Sequence, residues 1–195
     1  MGAAITPALE FAPGLLLAAR GAGAGIGAAI FDVDGVLTDG RVYIGADGEA
    51  FKAFSTLDGQ GLKLLAQAGI VPIVVTGRDS PGVRRRVSDL GLAHAAYGVA
   101  DKLAASEALL AGLGVDWSRV AVIGDDWPDL PLMQRAAFAC APPHAHVEVR
   151  AVAHHVTSAP AGQGAAREFC DLLLVAAGRY AGLLRSPQFA LDASR

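Results

Sequence analysis

Cysteine is scarce in this chain. Only Cys140 and Cys170 occur among 195 residues, far apart, so no disulfide framework can be built and a reducing compartment is implied. Aromatic residues make up only 6% of the total, which leaves the core to aliphatic side chains. Basic residues show no excess: 16 Lys and Arg against 19 Asp and Glu give a net charge of −3, with a pI near 5.9. A nucleic-acid surface is therefore not expected. The one basic run, Arg84-Arg85-Arg86, falls in a predicted helix and reads as a solvated face. No apolar stretch reaches about 18 residues, so no membrane span is expected. A G-x-x-x-x-G-K-[ST] loop is also missing, which removes nucleoside triphosphatases of that type.

The length fits one domain with a substantial core. Two N-terminal patterns are decoys. GLLLAA within Met1–Arg20 looks like a signal-peptide core, but Glu10 and no basic residue precedes it. MGAAIT fits a loose myristoylation pattern that no polybasic or second lipid signal supports. A cytoplasmic soluble protein is the expectation. Residues 1–27 form an Ala/Gly-rich extension expected to be partly disordered, residues 28–184 the folded domain, and residues 185–195 a tail.

From Ala28 onwards apolar strands alternate with amphipathic helices. Ala28–Val33, Ile70–Val75 and Val120–Ile123 read as buried strands, and about 41–54 as a hairpin turning at Gly45-Ala46-Asp47-Gly48. Helices are predicted over Gly59–Gly69, from the Ser80 cap to Gly91, over Lys102–Leu110, and from Pro128 and Pro131. A weaker strand–helix–strand pattern runs on through Thr157. One long final helix is predicted from Gly164 to Leu184. The fold class is α/β, a parallel sheet with helices on both faces and a β-hairpin inserted after the first strand. Ligands of such sheets bind beyond the carboxyl ends of the strands, where Asp32, Thr76 and Asp125 all fall.

The chemistry concentrates there. Asp32 and Asp34 in AIFDVDGVLTDG offer one carboxylate as nucleophile or metal ligand and a neighbour as proton donor. Gly124-Asp125-Asp126 brings further acids, and three or more in one pocket repel unless a cation neutralises them. Oxygen-only ligands favour a hard ion, Mg²⁺. A helix cap made by Asp125 or Asp126 is the plain alternative. Thr76-Gly77 offers a hydroxyl and exposed amides for phosphate oxygens, and Lys102 stands at a helix start that an anionic partner would explain. GAGAGIG at Gly21–Gly27 precedes its strand, so it is no dinucleotide loop. His144, His146, His154 and His155 match no standard zinc spacing.

DVDGVLTDG, TGR, Lys102 and GDDxxD, in that order, resemble the four motifs of the haloacid dehalogenase superfamily of phosphohydrolases. TDGRVYIGADGEAFKAF, STLDGQGLKLL, TGRDSPGVRRR, DKLAASEALL, GDDWPDLPLM and GAAREFCDLLL together resemble the family of 3-deoxy-D-manno-octulosonate 8-phosphate phosphatases within it, over about residues 28–184. The resemblance implies a Rossmann-like fold and an aspartyl-phosphate intermediate, formed by Asp32 and resolved with Asp34 as acid and then base. It implies Mg²⁺ held by Asp32, the Asp34 carbonyl and Asp125, with Asp126 and Asp129 nearby, and phosphoryl oxygens held by Thr76 and Lys102. The sugar would contact Ser55, Thr56, Leu57, Asp58, Gly59, Lys63, Gly77, Arg78 and Arg86.

Neither the interval Asp39–Asp58 nor Thr76–Lys102 has room for a cap domain. The resemblance implies that a capless site is closed by tetramerisation, the hairpin building the assembly and the C-terminal segment reaching a neighbour's site. The chain departs from the family where Ser55, Leu57, Lys63 and Gln163 replace asparagine and arginines that suit a sugar carboxylate. A nine-carbon sugar-acid 9-phosphate is the rival substrate. A phospho-aspartate receiver is the rival from another class, and Asp34 argues against it, since a module that stores phosphate needs no general acid beside its nucleophile. An inactive oligomerisation relative is the third, and no motif acid is missing. The implied pathway is lipopolysaccharide sugar synthesis.

Overall fold

A computed structural model describes residues 6–189. The Gly2 of the lipidation pattern and residues 190–195 of the tail lie outside the described residues. The Ala/Gly-rich extension contains one helix, α1 (Pro13–Arg20), whose Leu15, Leu16 and Ala19 pack against the domain. Then follow β1 (Ala28–Phe31), the hairpin β2 (Tyr43–Gly45) and β3 (Gly48–Phe51), α2 (Thr56–Gln67), β4 (Val71–Val75), α3 (Pro81–Asp89), β5 (His94–Ala96) and α4 (Lys102–Leu113). The chain continues with β6 (Val120–Ile123), α5 (Leu130–Arg135), β7 (Phe138–Ala141), α6 (Val147–Val152), β8 (His155–Val156), α7 (Ala165–Ala176) and α8 (Tyr180–Leu184).

Six strands form one parallel sheet in the order β5-β4-β1-β6-β7-β8, and β2-β3 stands apart as an antiparallel ribbon. Continuous burial of β1, β6 and β7 explains why these strands read as unbroken apolar runs. Alternate side chains feed two cores. Phe31 and Val74 meet α2, α3 and α7 on one face, with Phe31 edge-on to Phe169 at 5.4 Å between ring centroids. Ile30, Ile73 and Val122 meet α4, α5 and α6 on the other. Phe31 lies opposite Val74 and Ile123, so β1 and β6 end level and β4 runs one residue further.

Three boundaries and one cap contact that depart from the sequence reading have local reasons. β1 stops at Phe31 because the Val33 carbonyl is taken by the amides of Val36, Leu37 and Thr38. α2 begins at Thr56, since Ser55 Oγ accepts from the amides of Leu57 and Asp58 at 3.2 and 3.5 Å and starts the helix earlier. The single C-terminal helix is two. α7 closes with the Arg179 amide donating to the Leu174 carbonyl across Gly178 at φ +68, and α8 restarts beyond it. Ser80 holds the N-cap position of α3, but its hydroxyl donates to Glu49 in the hairpin and not to the helix. The four histidines take structural places: His146 Nδ1 accepts from Trp127 at 2.9 Å, His154 Nδ1 from the Ala139 amide at 3.0 Å, and His155 pairs with Glu168 at 2.9 Å, while His144 lies in the loop before α6.

Asp58 joins the two helices of the first face. It is 2% exposed, and its carboxylate accepts from the Arg167 amide at 2.8 Å and the Gly164 amide at 3.4 Å, capping α7 from α2. Asp58→Ala leaves both amides without a partner in a dry setting. Urea unfolding is expected to show a loss of about 1–3 kcal/mol; an unchanged midpoint would contradict the capping role.

Candidate active site

A reactive group follows each of three central strands: Asp32 directly after β1, Thr76 directly after β4, and Asp125 two residues after the end of β6. The Asp32 amide donates to the Ile123 carbonyl at 3.2 Å, which ties the end of β1 to β6. The chain then turns through Gly35 at φ +91, and a Cβ there would lie 2.0 Å from Asp125 Oδ2. Glycine at this point supplies the turn and lets the Asp125 carboxylate come in close.

Lys102, first residue of α4, is buried between two acids. Its Nζ lies 2.7 Å from Asp32 Oδ1 and 2.7 Å from Asp129 Oδ1. Asp129 Oδ2 accepts from the amides of Asp125 and Asp126 at 3.1 and 3.4 Å. Asp126 holds the N-cap of the helical turn after β6 in a reciprocal capping box with Asp129, one of the two caps the sequence offered, and the Asp125 carboxylate is left for the cluster. Asp32, Asp125 and Asp129 each bring a carboxylate oxygen within 4.8 Å of the others.

Burial, then the charges of Asp32 and Asp129, push Asp125 up to about 8. Burial and Asp129 push Asp32 up to about 6 against the pull of Lys102. Burial also works against the Lys102 ammonium, but Asp32 and Asp129 outweigh it and hold its pKa above the usual lysine value. One ammonium for three crowded carboxylates leaves negative charge uncompensated. An oxygen-only donor set with surplus negative charge fits a hard divalent cation such as Mg²⁺.

A cavity of about 380 Å³ opens over this cluster, lined by Asp32, Asp34, Thr76, Gly77, Arg78, Lys102 and Asp125 among others. Thr76 is buried and its Oγ1 accepts from the Arg78 amide at 3.2 Å, so its hydroxyl proton is free for a ligand. Arg78 Nε lies 3.7 Å from Asp34 Oδ2. The remaining residues named from the sequence lie elsewhere in the chain. Ser55 caps α2, Asp58 caps α7, and Gly59 packs under Arg86, whose guanidinium donates to the Ser55 carbonyl at 3.0 Å. Thr56 and Lys63 are exposed, and Leu57 is 57% exposed. None of these lines the catalytic cavity of its own chain.

A model of the haloacid dehalogenase-like hydrolases matches residues 97–169. The 3-deoxy-D-manno-octulosonate 8-phosphate phosphatase KdsC of Yersinia pestis is 41% identical over 153 residues, 78% of this chain and 82% of that one. The chain belongs to the haloacid dehalogenase-like hydrolases. Solved structures agree with that membership. The 3-deoxy-D-manno-octulosonate 8-phosphate phosphatase of Moraxella catarrhalis, in complex with magnesium ion, phosphate ion and KDO, superposes with a TM-score of 0.82 at 37% identity, covering 88% of this chain and 96% of that one. The cobalt-bound deoxy-D-mannose-octulosonate 8-phosphate phosphatase of Haemophilus influenzae gives 0.80 at 40% identity, covering 84% and 95%.

This haloacid dehalogenase-like hydrolase also carries groups at its site that the sequence reading missed. Lys52, just past β3, pairs with Asp34, and Glu49 in the same hairpin pairs with Lys52 at 3.2 Å. No local pattern distinguishes Lys52 from any other lysine at the end of a hairpin strand. Only the return of the hairpin over the Asp34 loop reveals it.

The crowded acids make metal binding pH-dependent. Both raised carboxyls contribute to metal-free stability below their ordinary pKa, a contribution lost as pH rises through about 6 and 8. Mg²⁺ must displace those protons, so its stabilisation grows with pH. Thermal melting is expected to show a larger Mg²⁺-induced rise at about pH 8.5 than at about pH 6. An equal rise at both would contradict the site.

Proposed function

We propose that this chain hydrolyses 3-deoxy-D-manno-octulosonate 8-phosphate to the free sugar acid and phosphate, with Mg²⁺, through an aspartyl-phosphate intermediate. The observation that carries the reading is the meeting of Asp32, Asp34, Thr76, Lys102 and Asp125 in one cavity at the carboxyl edge of the sheet. The family relatives named above add the substrate class.

Asp32 is the nucleophile. Lys102 holds its Oδ1, which leaves Oδ2 to attack phosphorus. As that bond forms, the phosphorus–oxygen bond to the sugar breaks and Asp34 gives its proton to the departing oxygen. Asp34 then takes a proton from water, whose oxygen attacks the phosphorus and frees Asp32. The Thr76 hydroxyl and the Lys102 ammonium meet phosphoryl oxygens where negative charge accumulates. Asp32, the Asp34 carbonyl and Asp125 would hold Mg²⁺, which supplies charge neutralisation for the carboxylates and the phosphoryl group when bound. Asp126 and Asp129 support this set.

The cavity is open, and no cap domain follows β1 or β4 among the described residues. The ribbon β2-β3 leaves Ile44 71% exposed and Phe51 58% exposed, with Tyr43 stacked on Phe51 at 4.4 Å. A lone two-stranded ribbon is marginal in water, so this surface supports a homotetramer in which neighbours close each site. Two unpaired, buried cysteines support a reducing, cytoplasmic setting. No described helix is long and apolar enough to cross a membrane.

Phosphate release with Mg²⁺ across 3-deoxy-D-manno-octulosonate 8-phosphate, a sialic acid 9-phosphate, a hexose 6-phosphate and an aryl phosphate tests the substrate. The eight-carbon acid is expected to lead, and Asp32→Asn is expected to abolish turnover of every ester with the fold intact by circular dichroism. Preference for the nine-carbon acid would move the substrate, and residual activity of Asp32→Asn near wild type would remove the nucleophile assignment. In light scattering a tetramer is expected; a fully active monomer would contradict the assembly.

A further inference from the structure

We propose that Lys52 is a positioning residue for the Asp34 carboxylate, so that the hairpin completes the catalytic site of its own chain. The proposal rests on the reading of Asp34 as the general acid. Lys52 follows β3, yet its side chain is only 1% exposed, and its ammonium contacts Asp34 Oδ1 and, at 3.2 Å, Glu49 Oε2. Glu49 Oε1 accepts from the Ser80 hydroxyl at the head of α3. A continuous chain of polar contacts therefore runs from α3 through the hairpin to Asp34.

Two features of that chain go against local stability. A buried ammonium is costly, and an apolar side chain would anchor a ribbon with less penalty. Ser80 stands at an N-cap, yet its hydroxyl makes no bond to the first turn of α3. Both departures converge on the same carboxylate, as expected where function overrides local preference. Burial disfavours the charge on Glu49, but the Ser80 hydroxyl and the Lys52 ammonium outweigh it and hold its carboxyl below the usual range. Burial likewise opposes the Lys52 charge, and its bonds to Asp34 and Glu49 outweigh that and raise its pKa.

The consequence for chemistry is directional. Asp34 sits in a loop, and its other charge partner among the described residues is Arg78, whose Nε lies 3.7 Å from Oδ2. Lys52 fixes Oδ1 from the hairpin side, which leaves Oδ2, on the side of Arg78, to meet the departing oxygen. In the first step the phosphorus–oxygen bond breaks as the Asp34 proton moves to that oxygen. A sugar alkoxide needs this proton; a p-nitrophenolate leaves without it. A lysine that only latched the hairpin would affect both esters alike.

The test compares kcat/KM, which reports the first chemical step, for p-nitrophenyl phosphate and for the sugar phosphate that wild type turns over best. Asp34→Asn is the control. Loss confined to the sugar ester establishes the acid, whereas equal loss on both esters overturns the underlying reading of Asp34 and the proposal with it. With the acid established, Lys52→Met is expected to lower kcat/KM about 10- to 100-fold on the sugar ester and less than about threefold on the aryl ester. Glu49→Gln is expected to shift the same ratio in the same direction by less. Equal loss on both esters, or no loss, overturns the proposal while leaving the acid in place. If Lys52→Met fails to fold by circular dichroism, the Glu49→Gln ratio decides: a selective loss supports the proposal and an unchanged ratio overturns it.

Discussion

Negative charge crowded at one edge of the sheet, with Lys102 wedged between Asp32 and Asp129, is the constraint to which the other parts of the site answer. Three carboxylates can be brought this close only because the strands carrying two of them end level and the third folds back on the helical turn after β6. Gly35 gives Asp125 room. Lys102 offsets part of the charge, and the surplus defines a place for a divalent cation. Asp129 faces both ways, with one oxygen on Lys102 and the other on the amides of the Asp125 loop. The same residue therefore fixes the cation of the protein and the loop that would hold the metal.

The open side of the cavity shapes the rest. With no room for a cap in either loop, the chain places a ribbon beside the site. That ribbon exposes the apolar side chains of Ile44 and Phe51, and its base is wired by Lys52 and Glu49 to Asp34 and α3. One short element thus combines exposed apolar surface with a contact to the Asp34 loop. Arg86 and Asp58, by contrast, are engaged within their own chain, on the Ser55 carbonyl and the start of α7.

Much of this was legible in the sequence, and the reason is physical. Buried parallel strands are continuous apolar runs, so β1, β4 and β6 stood out, and a reactive residue at the end of each could be placed on one edge before any coordinates. The motif acids, Thr76 and Lys102 followed from that placement. What stayed hidden depended on contacts distant in sequence. The Ser80 hydroxyl looked like a helix cap because its partner, Glu49, lies 31 positions away. The role of Asp58 at the N-terminus of α7 was hidden because its partner there is more than a hundred positions away. Gly178, left-handed just past α7, breaks the last helix, and the apolar stripe running on beyond it masked that stop. Lys52 had no local signature at all.

The most direct test of the central claim is to trap the covalent intermediate. Acid quenching during turnover with Mg²⁺, followed by borohydride reduction, converts an acyl phosphate on aspartate to homoserine, which peptide mass spectrometry locates. The account predicts homoserine at position 32, dependent on substrate and Mg²⁺. Reduction at another acid, or steady phosphate release with Asp32 never modified, would contradict it.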